Sequence, residues 1–149
     1  MSKSASKLAG ARTRARELMV QALYQKQIAG HTTSELMLQY KEDGNYARVD
    51  QEFFDEEFRA ISDGEAELAA KIDEVIDRPL DQLDPIELSI LMIGFYELEN
   101  RIDIPYRVVI NESVNLAKRF GAADGHKYIN ACLDKAAQSY REIEVQAQG

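Results

Sequence analysis

The stretch DPIELSILMIGFYEL, residues 84–98, decides the fold of this 149-residue chain. Asp84 followed by Pro85 is typical of a helix start, because the aspartate can accept a backbone hydrogen bond and proline needs no amide hydrogen in the first turn. Glu87 would complete a pair that resembles a capping box. From Leu88 to Leu98 the residues are apolar on nearly every side, so we expect a central helix with other helices around it.

The flanking sequence predicts further helices and no strands, because long proline-free stretches are rich in Ala, Glu, Leu, Lys and Gln. On the N-terminal side we predict helices over residues 7–28, ended by Gly30, and over residues 33–42, capped by Ser34 or Thr33. A third stretch from Asp50 to Asp77 is either one helix or two that are broken at Asp63-Gly64. We expect the apolar residues at helical spacing in these segments to face a core: Leu8, Ala11, Ala15, Leu18 and Ala22, then Leu36, Met37 and Tyr40, then Phe53, Phe54, Phe58, Ile61, Leu68 and Ile72.

On the C-terminal side, Pro105 starts a helix that Gly121 ends, and Asp124 caps a last helix. That last helix would turn Ile129, Leu133, Ala136, Tyr140 and Ile143 inward, and residues 146–149 would fray. The chain therefore reads as all-α, with about seven helices in two packed sub-bundles that divide near Gly44 or Gly64. Residues 1–10 would be a flexible tail, and residues 11–145 a single domain.

The composition excludes several classes of protein. The chain has 18 basic and 26 acidic residues, a net charge of −8, which argues against binding duplex nucleic acid by bulk positive charge. A hydrophobic content of 45% is ample for a core. One cysteine excludes an intrachain disulfide, and with only two histidines it leaves too few ligands for a zinc ribbon. With no transmembrane stretch and no secretory signal, we expect a cytoplasmic protein without membrane contact.

The charge is unevenly distributed along the chain. Residues 1–16 hold five basic residues and no acidic one, whereas residues 42–87 hold sixteen acidic and four basic residues. Residues 101–135 are slightly positive, with six basic against four acidic residues. This asymmetry suggests a local anion site on a protein that is acidic elsewhere.

No constellation predicts catalysis, a metal site or a cofactor. The sequence has no glycine-rich phosphate loop, no GxSxG and no HExxH. The carboxylates of residues 42–87, the acidic middle of the chain, are typical of a solvated helix face. Glu97 and Glu99 are two residues apart, so they do not share a helix face. Cys132 falls on the apolar side of the last helix, as a small core residue does. We therefore expect a protein that is not an enzyme.

Two segments carry the binding signal. In the arginine segment, residues 12–16, Arg12 and Arg16 lie one helical turn apart and Arg14 points to the other side; guanidinium groups bind phosphates and stack on bases. The loop segment, residues 118–128, concentrates cations and aromatic side chains between two helices, the pattern of single-stranded RNA binders. It holds Lys118, Arg119, Phe120, Asp124, His126, Lys127 and Tyr128. The plainer alternatives are a solubilising N-terminus and aromatic residues that only pack the loop.

These residues belong to a recognisable pattern. Arg12-Thr13-Arg14-Ala15-Arg16-Glu17 followed by Val20-Gln21-Ala22-Leu23-Tyr24 resembles the arginine-rich first helix of the NusB family of bacterial transcription antitermination proteins. The second half resembles the same family in the order and spacing of Phe95-Tyr96-Glu97-Leu98, Ile104-Pro105-Tyr106, Ile110-Asn111-Glu112, Ala117-Lys118, Phe120-Gly121, Lys127-Tyr128-Ile129-Asn130 and Leu133-Asp134-Lys135. The resemblance covers residues 11–137, and residues 32–83 match only in general character.

The resemblance implies a function as well as a fold of two perpendicular helical sub-bundles. It implies binding of boxA RNA in ribosomal RNA leader transcripts, jointly with the small-subunit ribosomal protein NusE, in a complex with RNA polymerase and other Nus factors. Carried over by position, the RNA-binding residues would be Arg12, Arg14, Arg16, Phe120, Asp124 and Tyr128. Lys118 and Lys127 would add positive charge beside them, and Tyr24 and Glu87 would face NusE.

Thr13 interrupts an arginine run that is often continuous in the family, so we expect tight RNA binding to need the protein partner. Tyr128 stands where phenylalanine is common, and stacking should survive that change. Two alternatives stay open: a helical adaptor that binds only proteins, and a substrate-binding module such as those fused to ribosomal-RNA methyltransferases. The residues also leave open whether the free protein is a monomer or a homodimer.

Overall fold

A computed structural model describes residues 3–148 of the chain, leaving out the side chains of residues 3–5. Within that range the chain forms eight α-helices and no strand, so the predicted all-α class is confirmed. The α-helices are α1 (Lys3–Ala29), α2 (Thr33–Lys41), α3 (Gln51–Asp63), α4 (Glu65–Asp73), α5 (Pro85–Asn100), α6 (Tyr106–Phe120), α7 (Gly125–Tyr140) and α8 (Glu142–Gln148). Short 3-10 helices span Gly44–Arg48 and Leu80–Gln82.

The chain divides into two compact units at Gly64, one of the two predicted positions. The N-terminal unit, residues 1–63, holds α1 to α3, and the C-terminal unit, residues 64–149, holds α4 to α8. The break at Gly64 also settles the stretch after Asp50, which forms two helices. The second of these ends at Asp73 rather than at Asp77. The residues that follow tighten into a turn, in which the amide of Val75 donates to the Ile72 carbonyl at 2.9 Å. The single domain over residues 11–145 stays a prediction.

The first helix begins earlier than predicted. It starts at Lys3 instead of near Lys7, so the part of the expected flexible tail that the structure describes is helical, and residues 1 and 2 lie outside the described residues. Leu8 is 50% exposed rather than buried, because α3 begins beside Ala11, where the amide of Asp50 donates to the Ala11 carbonyl. At the other end Gly30, at φ 71°, ends the helix as predicted.

The N-terminal unit is built around phenylalanines of α3. The rings of Phe54 and Phe58 are stacked with centroids 5.6 Å apart, and Tyr40 of α2 lies against Phe54. The α2 cap is Thr32, not Thr33 or Ser34: its hydroxyl accepts from the amide of Glu35, whose carboxylate accepts from the Thr32 amide. This capping box needs a glutamate three residues after the cap, and only Thr32 has one.

In the C-terminal unit, α5 is the central helix that its sequence predicts. It packs against α4, α6 and α7 and buries nearly every side, from Ser89 to Leu98. Asp84 caps it as predicted, with Oδ1 accepting from the amides of Ile86 (2.7 Å) and Glu87 (3.3 Å). The Glu87 side chain lies against Gly125 of α7, where an added Cβ would be 2.8 Å from Glu87 Oε1.

The last predicted helix is divided at Arg141, which leaves the helical conformation. Ile143 follows in α8 and is 85% exposed, so the prediction that it faces inward is wrong. At this break the Arg141 guanidinium donates to carbonyls at the end of α5. Fraying was predicted from Gln146 on, but α8 extends to Gln148, and Gly149 is outside the described residues.

Candidate nucleic-acid interface

The three arginines of the arginine segment differ in exposure. Arg14 is exposed, and its Nε donates to the carbonyl of Arg48 at 2.8 Å. Arg12 is partly exposed, with Nε 3.4 Å from Asp50 Oδ2 and its guanidinium carbon 4.8 Å from the centroid of the Phe53 ring. Arg14 therefore presents a cation to solvent, while Arg12 shares its charge with a carboxylate.

Arg16 is not a surface residue. Only 3% of it is exposed, and its guanidinium carbon lies 4.9 Å from the centroid of the Phe53 ring, which Arg12 also approaches. Contrary to the sequence prediction, Arg16 is therefore not exposed in this structure for a contact with RNA beside Arg12. A turn of separation puts both side chains on one side of α1, and that side is where α3 packs.

The loop segment brings an arginine onto each of its two aromatic rings. The guanidinium carbon of Arg119 lies 5.4 Å from the centroid of the half-buried Phe120 ring. Lys118, one residue earlier, is exposed. Gly121 ends α6, and its amide donates to the Ala117 carbonyl at 2.8 Å. The end of α6 thus combines a half-buried aromatic ring, an arginine beside it and an exposed lysine, which are groups that stack on bases and attract an RNA backbone.

Asp124 and Lys127 form an exposed pair at the start of α7. Lys127 Nζ lies 3.5 Å from Asp124 Oδ1, and the side chains are 74% and 83% exposed. Asp124 makes no capping hydrogen bond, so its predicted role as the helix cap is wrong. Its φ of −110° and ψ of 10° are not the extended conformation that an N-cap residue needs. The carboxylate is therefore available to solvent.

Tyr128 lies under an arginine from another part of the same unit. The guanidinium carbon of Arg78 is 4.2 Å from the centroid of the Tyr128 ring, and the Tyr128 hydroxyl donates to Asp77 Oδ1 at 3.4 Å. Burial is the main cause that raises the pKa of both the Tyr128 phenol and the Cys132 thiol beside it. A thiol that is harder to deprotonate is a poor nucleophile, in agreement with the core position predicted for Cys132.

The two residues expected to face a protein partner lie in different units. Tyr24 of α1 is 39% exposed, and Ile28, one turn later, is 62% exposed. Glu87 is partly buried beside Gly125 in the C-terminal unit. Burial and the charge of Asp84 raise the pKa of the Glu87 carboxyl, and the nearby Arg78 opposes them. Glu87 thus lies in the same surroundings as Tyr128.

Sequence reasoning missed Arg78 and the role of Phe53. In the sequence, Arg78 is only one of four cations among residues 42–87, and Phe53 is predicted only as a core residue. Both roles come from contacts between residues far apart in the chain, which helical spacing does not report. The one local signal was the Arg78-Pro79 pair, since a residue before proline is held in extended conformation and can project from a turn.

The residues that the structure describes offer neither a metal-binding cluster nor a membrane-spanning helix. No group of three or more His, Cys, Asp or Glu side chains is arranged to hold a metal ion. Over the same residues, no helix combines the length and the apolar composition needed to cross a bilayer.

Comparison with known proteins identifies the family. Residues 13–138 match the model of the NusB family. The transcription antitermination protein NusB of Pseudomonas syringae pv. tomato is 43% identical over 136 residues, which are 91% of this chain and 82% of that protein. The protein of the same name from Hahella chejuensis is 43% identical over 142 residues, 95% of each chain. The solved structure of T. maritima NusB has the same fold, with a TM-score of 0.77, 23% identity, and coverage of 91% of this chain and 96% of that one. The chain belongs to the NusB family.

Proposed function

We propose that this protein is a transcription antitermination factor that binds boxA-type single-stranded RNA of ribosomal RNA leader transcripts. It does so together with the ribosomal protein NusE, in a complex with RNA polymerase and other Nus factors. Antitermination is the activity in the names of the relatives that share more than two fifths of its residues over most of the chain. The protein acts by binding and catalyses no reaction.

The observation that carries the RNA proposal is the loop segment. Its aromatic side chains, Phe120 and Tyr128, each have an arginine within 6 Å of the ring centroid, and the exposed Lys118 and Lys127 flank them. Rings give bases a stacking surface, and cations attract the backbone. The exposed Arg14 provides a further cation on the N-terminal unit, with Arg12 beside it and the buried Arg16 supporting the Phe53 ring.

The acidic middle restricts where the RNA backbone can lie on the protein. Sixteen carboxylates against four cations between residues 42 and 87 repel an RNA backbone, so the phosphates are directed toward the cationic segments. The same charge is complementary to a basic ribosomal protein. Tyr24 and Ile28 form an exposed apolar pair on α1, which is suited to a protein contact.

The RNA proposal is tested by fluorescence anisotropy with a labelled boxA-type RNA and a shuffled RNA of the same composition. We expect preferential binding of the boxA-type RNA and a gain in affinity when NusE is added. Equal affinity for the two RNAs, with and without NusE, would contradict the proposal. NusE binding without any RNA binding would instead indicate a protein adaptor.

The partner proposal is tested by calorimetry with NusE. Tyr24→Ala and Glu87→Gln should weaken the complex, because each removes a group expected at the interface. Leu38→Ala and Glu142→Gln are matched controls, since Leu38 is 69% exposed in the N-terminal unit and Glu142 is exposed in the C-terminal unit. If the first two variants bind NusE as tightly as the controls, these residues lie outside the interface.

A further inference from the structure

One face of the Tyr128 ring is already occupied. Arg78, in the connection between α4 and α5, places its guanidinium carbon 4.2 Å from the ring centroid. A cation at this distance is attracted by the ring quadrupole, so the contact is favourable in the free protein. A base that approaches this face therefore meets the guanidinium before it meets the ring.

Three neighbours fix the position of Arg78. Its Nε lies 3.2 Å from Asp77 Oδ1, and the same carboxylate oxygen accepts from the Tyr128 hydroxyl. Pro79 follows immediately, with φ −58°, and restricts the backbone on that side. The arginine is therefore held before any ligand arrives, while 45% of its side chain remains exposed.

The charge around Arg78 favours an uncharged ligand group. Asp77 is 75% exposed beside it, and Glu87 is close enough to act on the charge of Arg78. Asp84 in turn acts on Glu87, so carboxylates of the same connection and of α5 lie around Arg78. A phosphate would be repelled by these carboxylates, whereas the flat, neutral face of a nucleobase would not be.

We propose that Arg78 is an RNA-contacting residue whose guanidinium, layered on the Tyr128 ring, is the surface on which one base of the RNA stacks. Guanidinium planes stack on bases as aromatic rings do. This inference rests on the RNA binding proposed above. It adds the connection between α4 and α5 to the surface that the loop segment provides, and it assigns Tyr128 the role of supporting the arginine on that face.

The test compares Arg78→Ala and Arg78→Lys for binding of the boxA-type RNA in the presence of NusE. Lysine keeps the charge but has no plane, so both variants should weaken binding by about 5- to 50-fold. The slope of log affinity against log salt should stay at the wild-type value in both. Arg107→Ala is the matched control, because Arg107 is an exposed arginine of the same unit, 5.8 Å from the Tyr106 ring centroid, and it should bind as wild type does.

A 2-aminopurine placed at successive positions of the RNA gives a direct readout. At one position its fluorescence should be quenched by the wild-type protein and recover with Arg78→Lys, while the melting temperature of the variant stays unchanged. Full affinity in Arg78→Lys with a salt slope reduced by about one in Arg78→Ala would mean a phosphate contact and overturn the proposal. Wild-type affinity in both variants would overturn it too. If wild-type protein binds no RNA, the proposed function and this inference fall together.

Discussion

Arg141 shows how one side chain can close the end of a helix. The residue is buried, with 4% of its surface exposed. Its guanidinium donates to the carbonyls of Glu97, Leu98, Arg101 and Ile104 at 2.7–3.1 Å. Helix C-terminal carbonyls have no partner within the helix, so a buried end needs donors from elsewhere. Glu144, one turn later, balances the charge at 2.7 Å.

Glu144 therefore links three elements, and its removal should cost stability. Its other oxygen accepts from the amide of Tyr106 at the start of α6. Glu144→Gln should lower the free energy of unfolding at pH 7 by about 1–3 kcal/mol, because hydrogen bonds to a charged group are lost. Chemical denaturation measures this, with the exposed Glu142→Gln as the control. Equal stability of the two variants would contradict the role of Glu144.

The effect of Glu144→Gln should depend on pH. Burial raises the pKa of the Glu144 carboxyl, but the hydrogen bonds from the Tyr106 amide and Arg141 lower it by more. The resulting pKa is below the ordinary value of 4.5. A lowered pKa means that the charged form stabilises the fold above that value, and that this stability is lost as pH falls through the folded-state pKa. The difference between wild type and variant should thus shrink in acid. A difference that is constant from pH 7 to pH 3 would show that the charge is not responsible.

At the same scale, the sequence predicted which residue types would form the candidate site but not their exposure. Spacing places Arg12 and Arg16 on one side of α1, and this is correct. Whether that side is open depends on where Phe53 of α3 packs, which is a contact across tens of residues. Arg78 and Tyr128 are separated even further, so no local pattern could have joined them.

Among the elements, α5 was the most predictable. A helix that is apolar all round can only be central, and its cap signal in Asp84-Pro85 is local. The errors fall at caps that depend on conformation or on a choice between neighbours. Asp124 has the right residue type but the wrong backbone angles, and Thr32 outcompetes Thr33 only because Glu35 is at the right spacing.

The close packing of α5 can be tested at Gly94. A Cβ there would lie 2.8 and 2.9 Å from the two methyls of Leu133 on α7 and 3.2 Å from Ser113 Oγ on α6. Leu133 is 0% exposed and cannot move aside freely. Overpacking costs about 1–3 kcal/mol, which exceeds the helix gain of about 1 kcal/mol from replacing glycine by alanine. Gly94→Ala should therefore lower the free energy of unfolding.

The control for Gly94→Ala is Gly44→Ala, because a Cβ at Gly44 meets no atom within 4 Å. Thermal or chemical unfolding of the two variants gives the comparison. If Gly94→Ala were as stable as Gly44→Ala or more so, α5 and α7 would have room between them that the structure does not show.

For the whole molecule, the net charge of −8 hides what matters for function. It averages an acidic middle with two cationic segments, one in each unit, and salt screens charges beyond about 8 Å, so an RNA responds mainly to the local sign. The sequence predicted most of the helices, a division near Gly44 or Gly64, and the two segments. It did not show which cations are already engaged by Asp50, Asp77 and Asp124, because ion pairs form only in the folded chain.

The central claim is that the protein binds boxA-type RNA, and its most direct test is the affinity of Arg14→Ala and Phe120→Ala for that RNA with NusE. Each variant should weaken binding by about 1–3 kcal/mol while keeping the melting temperature. Arg59→Ala and Ile102→Ala, at exposed positions of the N-terminal and C-terminal units respectively, should bind as wild type does. Wild-type affinity in both Arg14→Ala and Phe120→Ala would contradict the account.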